Sequence, residues 1–167
     1  HGLEIILNSA KKIDSKIKFL VIGDGAKKSE LINRANTERL NNIKFISNIS
    51  WQEIVNLNQV IDMHLVHLID NPEFKKVIPS KIFESMALRK PIIMGVLGES
   101  RDIVIKARCG ININPDNQNE LNDAINKYID TPQALKEIGD NGYSFLIKHY
   151  SRKKLANKMI ESIQSII

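Results

Sequence analysis

The sequence predicts an open, doubly wound α/β fold, and three observations carry that prediction. Short β-branched runs alternate with longer helical patterns, several helix starts carry capping residues, and no linker rich in Pro, Gly or Ser divides the chain. Alternation of this kind argues for parallel strands joined by crossover helices, because parallel neighbours need a long connection.

The elements follow in order. A first helix is expected over 3–13 and a first strand at "IKFLVIG" (17–23). A helix over 27–40 leads to the strand "NIKFI" (42–46), and Ser50-Trp51-Gln52-Glu53 has capping-box spacing for a helix over 51–58, with Trp51 as a packing anchor. The strand "IDMHLVHL" (61–68) precedes the longest non-periodic stretch, which ends at the helix-entry pair Pro79-Ser80 before a helix over 81–88. The strand "PIIMGV" (91–96), a helix over 99–107, the strand "GININ" (110–114) and a helix over 119–129 capped by Asn119 complete the alternation. Helices over 132–148 and 152–166, the second capped by Ser151, finish what is read as one domain over 1–167.

Composition narrows the function. The chain has 167 residues, 43% hydrophobic and 26% charged, the profile of a soluble domain with a sizeable core. Lys+Arg 24 against Asp+Glu 19 gives +5, but the basic residues are spread among acids and aromatics make up only 5%, so a nucleic-acid partner is not expected. Cys109 is the lone cysteine, which excludes a disulfide framework and a thiolate metal cluster and fits a cytoplasmic location. No apolar run approaches the roughly 18 to 20 residues of a membrane span, so contact with a membrane would be peripheral.

Sheets of this class bind ligands outside the carboxyl ends of their strands, which directs attention to three loops. "GDGAKKSE" sets Gly23 and Gly25 between a strand and a helix, where glycine permits close approach of an anion; a plain turn reads equally well. "LIDNPEFKKVIPSK" carries Glu73, Lys75 and Lys76 and ends on Ser80 and Lys81. At ~100° per residue the following helix buries Ile82, Phe83, Met86 and Ala87 and sets Ser80 and Glu84 along one border. A hydroxyl, a lysine and a deeper carboxylate suit a diphosphate beside a polyol such as ribose. A solvated acid near a positive helix end explains Glu84 as well, though not Lys81, whose charge the dipole disfavours. The residues alone leave both readings open. In "GVLGESRD" the Glu99-Ser100 start is either a further place for hydroxyl-rich ligands or an ordinary cap. His64 and His67, three apart on a strand, point to opposite faces and cannot share a metal.

The succession "FLVIGDGAKKSEL", "NIKFISNISWQEIVNL", "PSKIFESMALRKPIIMGVLGESRDIV" and "CGININPDNQNELNDAI" resembles the C-terminal, donor-binding domain of the retaining glycosyltransferases of family 4, the group 1 glycosyl transferases. The resemblance implies one Rossmann-like half of a GT-B fold, whose active site lies between two such halves. By position, it places Glu84 on the ribose hydroxyls of a nucleotide sugar and Ser80 and Lys81 at its diphosphate. It sets Ile46, Ser47 and Ile49 in the segment that holds the nucleobase, and Gly23 and Gly25 in the turn that shapes the cleft wall. Where the family has a second glutamate eight positions before Glu84 this chain has Lys76, with Glu73 nearby, as in a branch associated with bacterial surface polysaccharides and UDP-activated amino sugars.

The resemblance also implies a preceding strand central to the sheet. The strand at 17–22 is therefore expected outside any ordinary six-stranded sheet, with self-association through the incomplete sheet as one outcome. The implied function is the UDP-sugar-binding half of a retaining transferase that uses its donor as substrate, without metal or cofactor. An absent N-terminal half would supply a polysaccharide or lipid-linked acceptor at the inner membrane face, leaving this chain inactive alone. A GT-B-type sugar-nucleotide epimerase half and a non-catalytic binding module are the alternatives.

Overall fold

The computed structural model describes residues 2–129 and 131–165. The elements run α1 (Glu4–Ala10), β1 (Phe19–Ile22), α2 (Lys28–Thr37), β2 (Ile43–Ile46), α3 (Trp51–Leu57), β3 (His64–His67), α4 (Lys81–Ala87), β4 (Ile92–Gly95), α5 (Glu99–Ala107), β5 (Gly110–Asn112), α6 (Gln118–Ile129), α7 (Pro132–Tyr150) and α8 (Arg152–Gln164). Every expected strand and helix is present in the expected order. The strands are shorter than their expected runs, because only part of each run has a ladder partner. The predicted final residue of α8, Ile166, lies outside the described residues.

All strand pairings are parallel, and they form two sheets rather than one. β1 pairs with β2, Phe19 opposite Ile43, while β4 lies between β3 and β5, with His64 opposite Ile92 and Ile92 opposite Gly110. The expectation that β1 lies outside an ordinary six-stranded sheet therefore holds. Side chains nevertheless bridge the two sheets. Phe19 and Val21 of β1 pack on the same apolar cluster as Leu65 of β3, Ile93 of β4 and Ile5, Ile6, Leu121 and Ile125 of α1 and α6. On the opposite face Val66, Ile92 and Met94 meet Ile82 and Met86 of α4 and Ile103 and Val104 of α5. Alternate strand residues thus face helices on both sides, the doubly wound arrangement that a two-residue side-chain period requires.

Several local details differ from expectation. The long stretch after β3 contains a 3-10 turn at Pro72–Lys76, started by Pro72 and capped by Asn71, whose side chain accepts from the Glu73 N–H. The cap of α6 is Asn117, not Asn119: its Oδ1 accepts from the Glu120 N–H at 3.1 Å while its Nδ2 donates back to Glu120 Oε1 at 2.7 Å. Ser151 has the extended backbone of a cap but makes no side-chain capping bond. α7 runs two residues further than expected, to Tyr150, whose ring packs on Phe83 with centroids 4.8 Å apart. In α4 the buried stripe is Ile82, Ser85 and Met86; Ala87 is exposed. Trp51 is no packing anchor either, at 58% exposed.

α2, α4 and α5 end alike. Two positions past α2 and α4, and directly after α5, stands an arginine in the left-handed region (Arg39, Arg89, Arg108), and its N–H and the next one bond back to the last turn, as Arg39 to Asn36 O and Leu40 to Ala35 O. Glycine is the residue that this position accepts without strain. Arg39 is exposed, and among the described residues its side chain joins no hydrogen bond or ion pair. Arg39→Gly is therefore expected to stabilise the fold by a few tenths to about 1 kcal/mol in urea unfolding. Arg89→Gly should do the reverse, since the Arg89 guanidinium pairs with Asp140 and stacks on Tyr143, 3.8 Å from the ring centroid.

Candidate functional site

The residues selected from the sequence fall into three groups, each near the carboxyl end of a strand. Gly23 follows β1 with φ 123°, a value that suits glycine, and its N–H bonds to Ile46 O at 3.1 Å, tying the glycine turn to the end of β2. Gly25 has an ordinary φ and open space around it, so nothing in the backbone demands glycine there. Ser47 is joined from across the turn by Lys28, whose Nζ lies 3.3 Å from Ser47 Oγ and 3.5 Å from Asp24. Lys28 had no mark in the sequence beyond following the glycine turn. Ile46 and Ile49 line an open cavity of about 360 Å³ with Glu53, Asn56, Leu57 and Val60.

The second group is the start of α4. Ser80 occupies the N-cap position without capping; its hydroxyl instead donates to Glu84 Oε1 at 3.0 Å. Lys81 Nζ lies 2.8 Å from Glu84 Oε2. The expected border of Ser80 and Glu84 is real, but Lys81 does not stand unpaired before the loop. Burial alone would raise the Glu84 pKa, yet the bonds from Lys81 and Ser80 outweigh it, so the carboxyl lies below its ordinary range and is ionised at neutral pH. A carboxylate offers about four lone-pair sites, so each oxygen retains capacity for a hydroxyl donor. Exposed pairs such as Lys81–Glu84 contribute little stability and exchange partners readily.

Glu73 and Lys76 form the third group. They pair with each other at 3.3 Å, both about three-quarters exposed. Among the described residues no hydrogen bond or ion pair joins the three groups. Ser100, the alternative hydroxyl, is fully buried and donates to Val77 O at 2.6 Å, so it fastens a loop. His67 accepts from the Asp116 N–H at 3.0 Å, closing the end of β3 against the loop after β5.

A feature with no sequence signal sits behind α4. His64 Nδ1 lies 2.7 Å from Ser85 Oγ and its Nε2 2.6 Å from Asn58 Oδ1, so one ring touches both α4 and the end of α3. Burial, then the charges of Lys90 and Lys81, lower its pKa to about 4, leaving the ring neutral at pH 7. Burial pushes the Cys109 thiol in the opposite sense, up to about 12, so it is no nucleophile. Among the described residues no cluster of three His, Cys, Asp or Glu could hold a metal ion.

The family of glycosyl transferases group 1 matches residues 1–145. The chain belongs to the group 1 glycosyl transferases. One relative is an uncharacterised glycosyltransferase of Methanocaldococcus jannaschii, 25% identical over 99% of this chain and 44% of its own length. Among solved structures, HepE from Anabaena in complex with UDP-glucose superposes with a TM-score of 0.82 at 20% identity, covering 98% of this chain and 45% of HepE. A glycosyltransferase from Rickettsia africae gives 0.78 at 21%, covering 99% and 44%. The fold of this group 1 chain is thus the Rossmann-like half of a GT-B fold, and it spans less than half the length of the relatives it matches.

Proposed function

We propose that this chain is the nucleotide-sugar-binding part of a retaining glycosyltransferase, taking UDP carrying a hexosamine-type sugar as donor. The observation that carries the reading is the Ser80–Lys81–Glu84 unit, an ionised carboxylate with spare acceptor capacity held beside a hydroxyl and an exposed cation, in a chain matched to the family over residues 1–145. Glu84 takes the ribose hydroxyls, Lys81 leaves its internal partner for the diphosphate, and the cavity at Ile46 and Ile49 takes the base. The UDP-glucose bound to HepE supports the choice of nucleotide.

The chain's part in the reaction is to position the donor and to stabilise charge on the departing diphosphate. The acceptor, a surface polysaccharide or a lipid-linked glycan, belongs with the portion of the relatives that this chain does not span. The chain alone therefore binds donor without turnover. Calorimetry with UDP tests this directly. The 167-residue chain should bind, and Glu84→Ala should weaken binding by roughly tenfold to a hundredfold, the range for hydrogen bonds to a charged group. No heat of binding at millimolar UDP would overturn the reading.

A further inference from the structure

α3 is weakly seated. Its seven residues include none that is buried, and it packs extensively against no other helix or strand. Exposure falls along one face, from Trp51 at 58% through the half-buried Ile54 and Val55 to Asn58 at 5%, so the helix is held at its carboxyl end and lifts away towards its start. A helix this short has no stability of its own, even with the capping box between Ser50 and Glu53. Something at Asn58 must hold it.

That contact is His64. Asn58 Nδ2 donates to Ile54 O at 2.8 Å, which leaves Oδ1 to accept from His64 Nε2–H at 2.6 Å. With the proton of the neutral ring on Nε2, Nδ1 can only accept, so the one proton of the Ser85 hydroxyl is shared between Nδ1 at 2.7 Å and Lys81 O at 2.6 Å, in the first turn of α4. Asn58 and Ser85 are 5% and 1% exposed, so both bonds are shielded from competing water. Among the described residues no other side-chain hydrogen bond or ion pair links α3 to a different strand or helix.

We propose that His64 is a positioning residue that fixes α3, and with it the Ile46–Ile49 segment, relative to α4. Its consequence for nucleotide binding rests on the function proposed above. The base-side wall and the ribose-side wall of the site then share one buried imidazole, and the distance between them is set by two hydrogen bonds rather than by apolar packing.

Trp51, the one tryptophan of the chain, lies in α3 and reports its motion. In His64→Leu, amide exchange in α3 should accelerate by about tenfold or more and Trp51 fluorescence anisotropy should fall, while β4 amides keep their protection. UDP affinity should drop by about tenfold. His64→Gln, whose amide can donate to Asn58 and accept from Ser85, should stay near wild type in all readouts. Asn58→Ala cuts the link at the α3 end alone and should behave as His64→Leu does, which keeps the test open if the leucine variant does not fold. The proposal is overturned if α3 exchange and anisotropy are unchanged, if α3 and β4 amides accelerate by the same factor, or if α3 loosens while UDP affinity holds. Absence of UDP binding to the wild-type chain would overturn the nucleotide reading instead, and exchange and anisotropy alone would then decide the tether.

Discussion

Replacing Gly139 by alanine is expected to lower the thermal midpoint by roughly 5–10 °C, a loss of about 2–3 kcal/mol for a domain of this size. On an exposed helix face the same change would stabilise by about 1 kcal/mol, because alanine is the better helix former. Here a Cβ would stand 2.0 Å from Arg89 O and 2.8 Å from Arg89 C, backbone atoms that cannot swing aside. The approach is that close where the chain leaving α4 passes through Arg89 in the left-handed region, with the Arg89 carbonyl against α7. One turn on, Gly142 lets α7 meet Met86 and Cys109. An alanine at 139 must pry the two helices apart, and the contacts of Phe83 with Tyr150 and of Arg89 with Tyr143 would loosen with it. Differential scanning fluorimetry would measure the shift, and a rise in midpoint would contradict the packing described.

Acidification is expected to cost about 3 kcal/mol between pH 6.5 and pH 4, well before most carboxylates titrate. In the fold His64 has its pKa lowered to about 4 by burial and by Lys90 and Lys81, against the weaker opposing pull of Glu84; the unfolded chain keeps the ordinary 6.5. Within that window the unfolded state binds the extra proton and the folded state does not, so the contribution is complete above pH 6.5 and is lost as the pH falls. His67, lowered by burial and only partly restored by Asp116, acts in the same direction. His64→Gln should therefore flatten most of the slope in urea-unfolding free energy across this range and leave a remainder. A slope unchanged by the substitution would show that His64 is not held neutral.

What the sequence revealed and what it hid divide along physical lines. Strand order, helix order and the capping box at Ser50 are local properties, written in runs of neighbouring residues. The pairing of Ser80 with Glu84 follows from helical spacing in the same way. Contacts between distant residues leave no such mark. His64 and Ser85 are 21 positions apart, and neither the alternation of β3 nor the stripe of α4 hints that they meet; the stripe even assigned the buried position to Ala87. Lys28 reaches Ser47 across 19 positions with as little notice. Trp51 was misplaced for a related reason, since its helix shows the right face but is seated only at its far end.

The division of the strands into two sheets has a thermodynamic consequence. Ladder hydrogen bonds spread order through β3, β4 and β5, and separately through β1 and β2, but only side chains pass it from one set to the other. Cooperativity between the two therefore depends on that apolar cluster and on a few side-chain hydrogen bonds such as His64 to Asn58, and the β1–β2 layer can open at a lower free energy than the rest. Unfolding need not be all-or-none, and a single midpoint would then average two transitions of unequal height.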